Sequence, residues 1–203
     1  IDLEEAANKL VDLGSYEEVS TAEGTKVRLK KGELGAFENF IITTGQKGLE
    51  SFVAREGAKR KDRIANIHMV TDKESRRIRK KELPGIIHPL TDLQLSEANE
   101  AMTKANNRLK KKEGNLSSDD LNLIRKNYFV VKNADELFIS GKFRVFKNPK
   151  TKQTWISKTQ LEGAPGWAAQ MAVDMGKPIH LYEVTQNKWF KYYPSAKGFG
   201  PQT

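Results

Sequence analysis

Residues 162–183 read EGAPGWAAQMAVDMGKPIHLYE. A glycine-bearing turn with Gly163 and Gly166 leads into an apolar segment in which Trp167 and Met171 stand at i and i+4, the spacing of one helix face. Gly176-Lys177-Pro178 is a stop, since glycine accepts the left-handed turn after a helix and proline cannot continue one. Pro178 to Glu183 then alternates like a strand. Turn, helix and strand in that order place the chain among α/β proteins. The stretch also raises a functional question. A glycine turn at a helix start exposes unpaired N–H groups and the positive end of the helix dipole, which suits a phosphate; the same residues also serve as a tight connection in an α/β core.

Upstream, residues 38–60 repeat the pattern: Phe40-Ile41-Ile42 reads as a buried strand, Gly45 and Gly48 as a turn, and Leu49, Phe52 and Val53 as a helix face. Ile64 to Val70, short and β-branched, is the next parallel strand. The charge run Thr71 to Leu83, closed by Pro84-Gly85, reads as a solvated loop or frayed helix. Thr91-Asp92 or Ser96 caps a helix that runs to a lysine cluster, and a further helix starts near Ser118 with Leu121, Leu123, Ile124 and the pair Tyr128-Phe129. Leu137 to Ile139 is a strand ending at Ser140-Gly141, and residues 142–160 form a β-hairpin turning at Asn148-Pro149-Lys150. At the ends, Asp2 to Leu13 is spaced as an amphipathic helix and Thr25 to Leu34 as an exposed strand or hairpin arm. The expected organisation is an N-terminal helix and arm over 1–37, a Rossmann-like domain over 38–193 with insertions at 71–90 and 142–160, and a tail over 194–203 not ordered on its own. The expected fold class is α/β, an open and mainly parallel sheet with helices on both faces.

With 203 residues the chain is long enough for one such domain. It has no cysteine, which excludes disulfides, thiolate nucleophiles and cysteine-based zinc sites together. His68, His88 and His180 show no metal-binding spacing, so no metal is expected. No apolar run approaches the ~20 residues that cross a bilayer, so a soluble protein is expected, cytoplasmic or carried in a virion. The start at Ile1 reads as a processed product or the ordered part of something longer. The formal net charge of +9 favours an anionic neighbour.

Three segments together resemble one family. TTGQKGLES (43–51) is similar to the turn SGGAxGAD; RKNYFVVKNADELFISG (125–141) is similar to RNWYQVKNADAVFAIG; and GAPGWAAQMAVDMGKPIHLYEVTQNKWFKYY (163–193) is similar to GGTGWAVQMAIDxGKPVYVFDQxxxxWY. These are motifs of the SLOG superfamily of Rossmann-like proteins, related to the DprA recombination mediator and the LOG phosphoribohydrolases and found in phage and bacterial genomes. The resemblance covers roughly residues 38–193 and is most specific in its last segment.

It implies a nucleotide or nucleotide sugar lying over the two glycine turns, with Thr44, Gly45, Lys47, Gly48, Glu50, Asn127, Ser140, Gly141, Gly163, Gly166 and Gln170 as ligand contacts. Thr44 and Ala164 replace family glycines, Glu50 stands for an aspartate, and Pro165 stiffens the second turn. The catalytic glutamate of the PGGxGTxxE pattern in LOG enzymes falls on Gln170, and an amide is no general acid or base near neutral pH. No catalytic residue and no phosphoribohydrolase reaction are therefore expected. The basic residues Arg60, Lys61, Arg76, Arg77, Lys80, Lys110 and Lys111 are candidates for nonspecific nucleic-acid or partner contact. The basic segments that hold them lack interleaved aromatics, which argues against single-strand stacking there. The alternative is an assembly module of a phage particle or other large complex that keeps the fold and docks through its basic insertions.

Overall fold

The computed structural model describes residues 16–20, 26–30, 39–59, 64–78, 83–111 and 116–202. They fall into two compact units, one ending at Ser96 and one beginning at Glu97. The expected helix at Asp2 to Leu13 and the basic residues Arg60, Lys61 and Lys80 lie outside the described residues.

In the first unit, β1 (Tyr16–Ser20) and β2 (Lys26–Lys30) form an antiparallel hairpin, with Tyr16 opposite Lys30. A parallel sheet follows, ordered β3 (Asn39–Thr43), β4 (Ile64–Thr71), β5 (Ile86–Leu90). Central β4 is buried along Ala65 to Thr71, which explains its near-continuous apolar sequence. Helix α1 (Leu49–Ala58) connects β3 to β4 as a crossover must. Its buried face is not the expected Leu49, Phe52 and Val53. Ala54 and Gly57 are buried instead, while Leu49 and Phe52 are more than half exposed. The physical reason is the closeness of helix and strand: a Cβ on Gly57 would lie 2.6 Å from Asn66 Oδ1, so only small residues fit that face.

The charge run expected as loop or frayed helix contains one helical turn, α2 (Asp72–Ser75), closed by a Thr71/Glu74 capping box. Strand β5 had no strand reading in the sequence, because Pro84, Gly85 and Pro89 look like breakers. It lies at the edge of the three-stranded sheet, where a proline costs no ladder bond. Helix α3 (Asp92–Leu109) starts at Thr91 rather than Ser96: Gln94 N–H donates to Thr91 Oγ1 and Thr91 N–H to Gln94 Oε1.

The second unit contains α4 (Ser118–Asn133), β6 (Leu137–Gly141), the hairpin β7 (Phe143–Lys147) and β8 (Thr154–Leu161), α5 (Gly163–Asp174), β9 (Ile179–Glu183), β10 (Lys188–Tyr193) and β11 (Gly198–Pro201). The sheet order is β11-β10-β9-β6. Only β6 and β9 run parallel; β10 and β11 are antiparallel, so this sheet is mixed where a mainly parallel one was expected. The tail is ordered as well. Gly198 to Pro201 pairs with β10, and Phe199 is buried against Phe143 and Tyr192. An open strand edge plus one aromatic anchor outweighs the glycine and proline composition.

Met102, Ala105 and Leu109 of α3, Ile124 of α4 and Trp167 and Met171 of α5 make the core of this unit, so Trp167 and Met171 are packing residues. Leu137, Ile139, Ile179 and Leu181 are buried on one side of the sheet. The side chains that alternate with them leave Phe138, Trp189 and Tyr193 exposed.

Candidate functional site

The two glycine turns lie in different units, and each has its own chemistry. In the first, Gly45 has φ +71 and Gly48 φ +98, conformations that glycine adopts without strain. The amides of this turn point at a carboxylate of the chain itself. Glu50 Oε2 accepts from Thr44 N–H at 3.0 Å and Gln46 N–H at 3.0 Å, and from the Thr44 hydroxyl at 2.8 Å. Glu50 thus takes up the amides that a phosphate would need in a glycine-turn cradle. Thr44 is buried, while Lys47 and Gly48 are exposed.

Behind the turn lies a buried relay. Gly45 N–H donates to Thr43 Oγ1, the Thr43 hydroxyl lies 2.7 Å from His68 Nδ1, and His68 Nε2 lies 2.9 Å from the Pro84 carbonyl. The carbonyl requires a proton on Nε2, so Nδ1 of neutral His68 accepts from Thr43. Burial pushes the His68 pKa below its ordinary value, against smaller opposing effects of the Pro84 bond and the Glu50 charge. As pH falls, the unfolded chain takes up this proton first, so stability declines below about pH 6.5 until the folded-state pKa is reached. His68→Gln is expected to flatten that decline, read as urea midpoints between pH 7 and pH 5.

In the second unit, helix α5 starts at Gly163, so Gly163 to Gly166 is the first turn of the helix and not a loop before it. Glu162 is the N-cap residue but makes no side-chain cap; its Oε1 accepts from Val145 N–H at 3.1 Å. Lys111 stands at this helix start, with Arg144 close enough for its charge to act on it. Lys111 Nζ donates to the Leu161 carbonyl at 3.2 Å and the Gly163 carbonyl at 3.1 Å. Arg144 donates to the Leu109 carbonyl at 2.6 Å and to Gln160 Oε1 at 2.8 Å. Burial, then the Arg144 charge, lower the Lys111 pKa to about 8, with Glu162 opposing. Lys111, expected as a surface contact, is half-buried and fastened to the backbone. Gly166 is buried, and a Cβ there would lie 2.2 Å from the Leu161 carbonyl oxygen, so only glycine fits.

The remaining expected contacts are dispersed. Gln170 is buried, and its amide donates to Asp174 Oδ1 at 3.1 Å, so it is not offered at the helix start. Ser140 and Gly141 end β6, where Pro165 would lie 3.3 Å from a Cβ on Gly141. Asn127 is half-buried in α4. Arg76 is exposed and paired with Asp72, and Arg77 and Lys110 are exposed. A cleft of about 220 Å³ is lined by Glu100, Lys104, Tyr128 and Asp174. It is smaller than the ~300 Å³ at which small-molecule sites begin. Arg144 was missed in the sequence; its bond to the Leu109 carbonyl, two residues before Lys111, brings it near that lysine. Among the described residues no helix is long and apolar enough to cross a membrane. No family model, curated protein or solved structure matches this chain.

Proposed function

We propose that the chain is a SLOG-like protein with a Rossmann-type sheet that binds a nucleotide or nucleotide derivative, and that it has no phosphoribohydrolase activity. The supporting observation is the start of α5: a helix N-terminus with no side-chain cap, flanked by Lys111 and Arg144. Burial, then the Arg144 charge, make the Lys111 charge costly, Glu162 opposes them only in part, and a bound anion relieves the rest. On this reading the phosphate goes to the start of α5, and the Gly45 turn, whose amides Glu50 takes up, does not hold it. Gln170, bonded to Asp174, supplies no acid or base.

Calorimetry with nucleoside monophosphates and diphosphates tests this. Binding is expected to weaken as pH rises from 7 to 9, because Lys111 loses its proton near pH 8. Lys111→Gln keeps donors for the two carbonyls but removes the charge, and is expected to weaken binding roughly tenfold. Unchanged affinity in that variant, or no binding by the native protein, overturns the reading. The open sheet side with Phe138, Trp189 and Tyr193 favours a second reading, the assembly module. In that case Phe138→Ser is expected to abolish incorporation into the larger complex without altering nucleotide binding.

A further inference from the structure

Residues 142–161 carry six basic side chains, Lys142, Arg144, Lys147, Lys150, Lys152 and Lys158, and no acidic one. The whole chain has a formal net charge of +9, so most of its excess charge is matched by this one hairpin. Pairing of β7 with β8 sets Phe146 opposite Trp155 and Val145 opposite Ile156. The Phe146 and Trp155 rings stack with centroids 5.6 Å apart and planes 19° apart, and the Arg144 guanidinium lies 4.6 Å over the Phe146 ring. Trp155 nevertheless stays 53% exposed. A stacked indole at the surface of a strongly cationic ribbon makes no contribution to its own core, and burial against a partner is what such a ring gains most from.

The ribbon is also rigid at its tip. Asn148 Oδ1 accepts from Lys150 N–H at 2.9 Å and Thr151 N–H at 3.2 Å, and Asn148 N–H donates to the Gln153 carbonyl at 2.8 Å. The lysines are therefore presented on a preformed arm, and little ordering entropy is lost on binding.

We propose that the β7–β8 hairpin is a binding arm for single-stranded nucleic acid. A base stacks on Trp155, continuing the series Arg144, Phe146, Trp155, and Lys147, Lys150 and Lys158 neutralise the flanking phosphates. Stacking needs an unpaired base face, which a duplex does not offer, and a single strand supplies base faces and phosphates together, matching the indole and the lysines at once. The arm shares Arg144 with the nucleotide reading but does not rest on it, because Trp155 takes no part in the Lys111 site.

Fluorescence anisotropy with a labelled oligothymidylate tests it, beside a blunt duplex of the same length and polyglutamate as competitor. Tighter binding of the single strand than of the duplex is expected. Trp155→Ala, at an exposed position, is expected to weaken it roughly tenfold. Lys150→Gln combined with Lys158→Gln is expected to reduce the log–log salt slope by roughly 1.4. Nucleotide calorimetry on Trp155→Ala keeps the two sites apart, since its affinity stays native if only the arm is lost. The proposal is overturned if Trp155→Ala binds oligothymidylate like the native chain, or if polyglutamate competes as well as the oligonucleotide, which assigns the arm to an acidic protein.

Discussion

Gly166→Ala is expected to destabilise the protein by about 3 kcal/mol or more, the upper range for forcing an added methyl into a packed site. The new Cβ would lie 2.2 Å from the Leu161 carbonyl oxygen and 2.7 Å from Lys111 Nζ. The lysine end can swing away, but the carbonyl is backbone at the end of β8. Nor can α5 retreat, because Trp167 and Met171 hold it in the core with Leu109 and Ile124. For a chain of this size the loss corresponds to a fall in Tm of roughly 6–12 °C. Gly163→Ala is the control: its Cβ would meet nothing closer than Pro165 Cδ at 3.7 Å, so only the φ of +58 opposes it, at about 1 kcal/mol. Equal effects of the two substitutions would show that the Leu161 contact does not limit the position of the helix.

Glu50→Ala is the second large effect, with an expected cost of about 3 kcal/mol. It removes the acceptor for Thr44 N–H, the Thr44 hydroxyl and Gln46 N–H in one step, and Thr44 is only 1% exposed. The Thr44 bonds are lost inside the turn, where water is scarce, whereas the exposed Gln46 N–H turns to solvent, so the cost exceeds that of a surface carboxylate mainly through Thr44. The same change converts a filled turn into an empty one of converging amides. Inorganic phosphate is then expected to raise the Tm of Glu50→Ala while leaving the native protein unchanged at that site. A thermal melt in which phosphate acts equally on both proteins would refute the claim that Glu50 fills the cradle.

Much of the fold was legible in the residues because its signals are local. Apolar spacing marked Trp167 and Met171 as one helix face, the alternation of Pro178 to Glu183 marked β9, and Thr91 was one of the two caps offered for α3. These features depend on neighbours within a turn of helix or a few strand residues, and the sequence states them directly. Strand β5 was hidden by its prolines, which are harmless only at a sheet edge, and β11 by a glycine-rich composition that an open edge on β10 overrides.

The site was less legible for the same reason. Glycine turns advertise free amides, and composition cannot say whether an anion or the chain's own carboxylate meets them; in the first turn Glu50 does. The neighbours of Lys111 and Trp155 are likewise products of contacts between distant segments: the bond to the Leu109 carbonyl brings Arg144 near one, and strand pairing brings Phe146 beside the other. Sequence by itself determined the α/β pattern, the Trp167–Met171 face of α5 and the positive charge, because those follow from short-range periodicity and counting. Tertiary structure alone decided which charged groups are spent inside the protein and which remain for a ligand, because hydrogen bonds and charge interactions depend on distances between segments that the chain order does not fix.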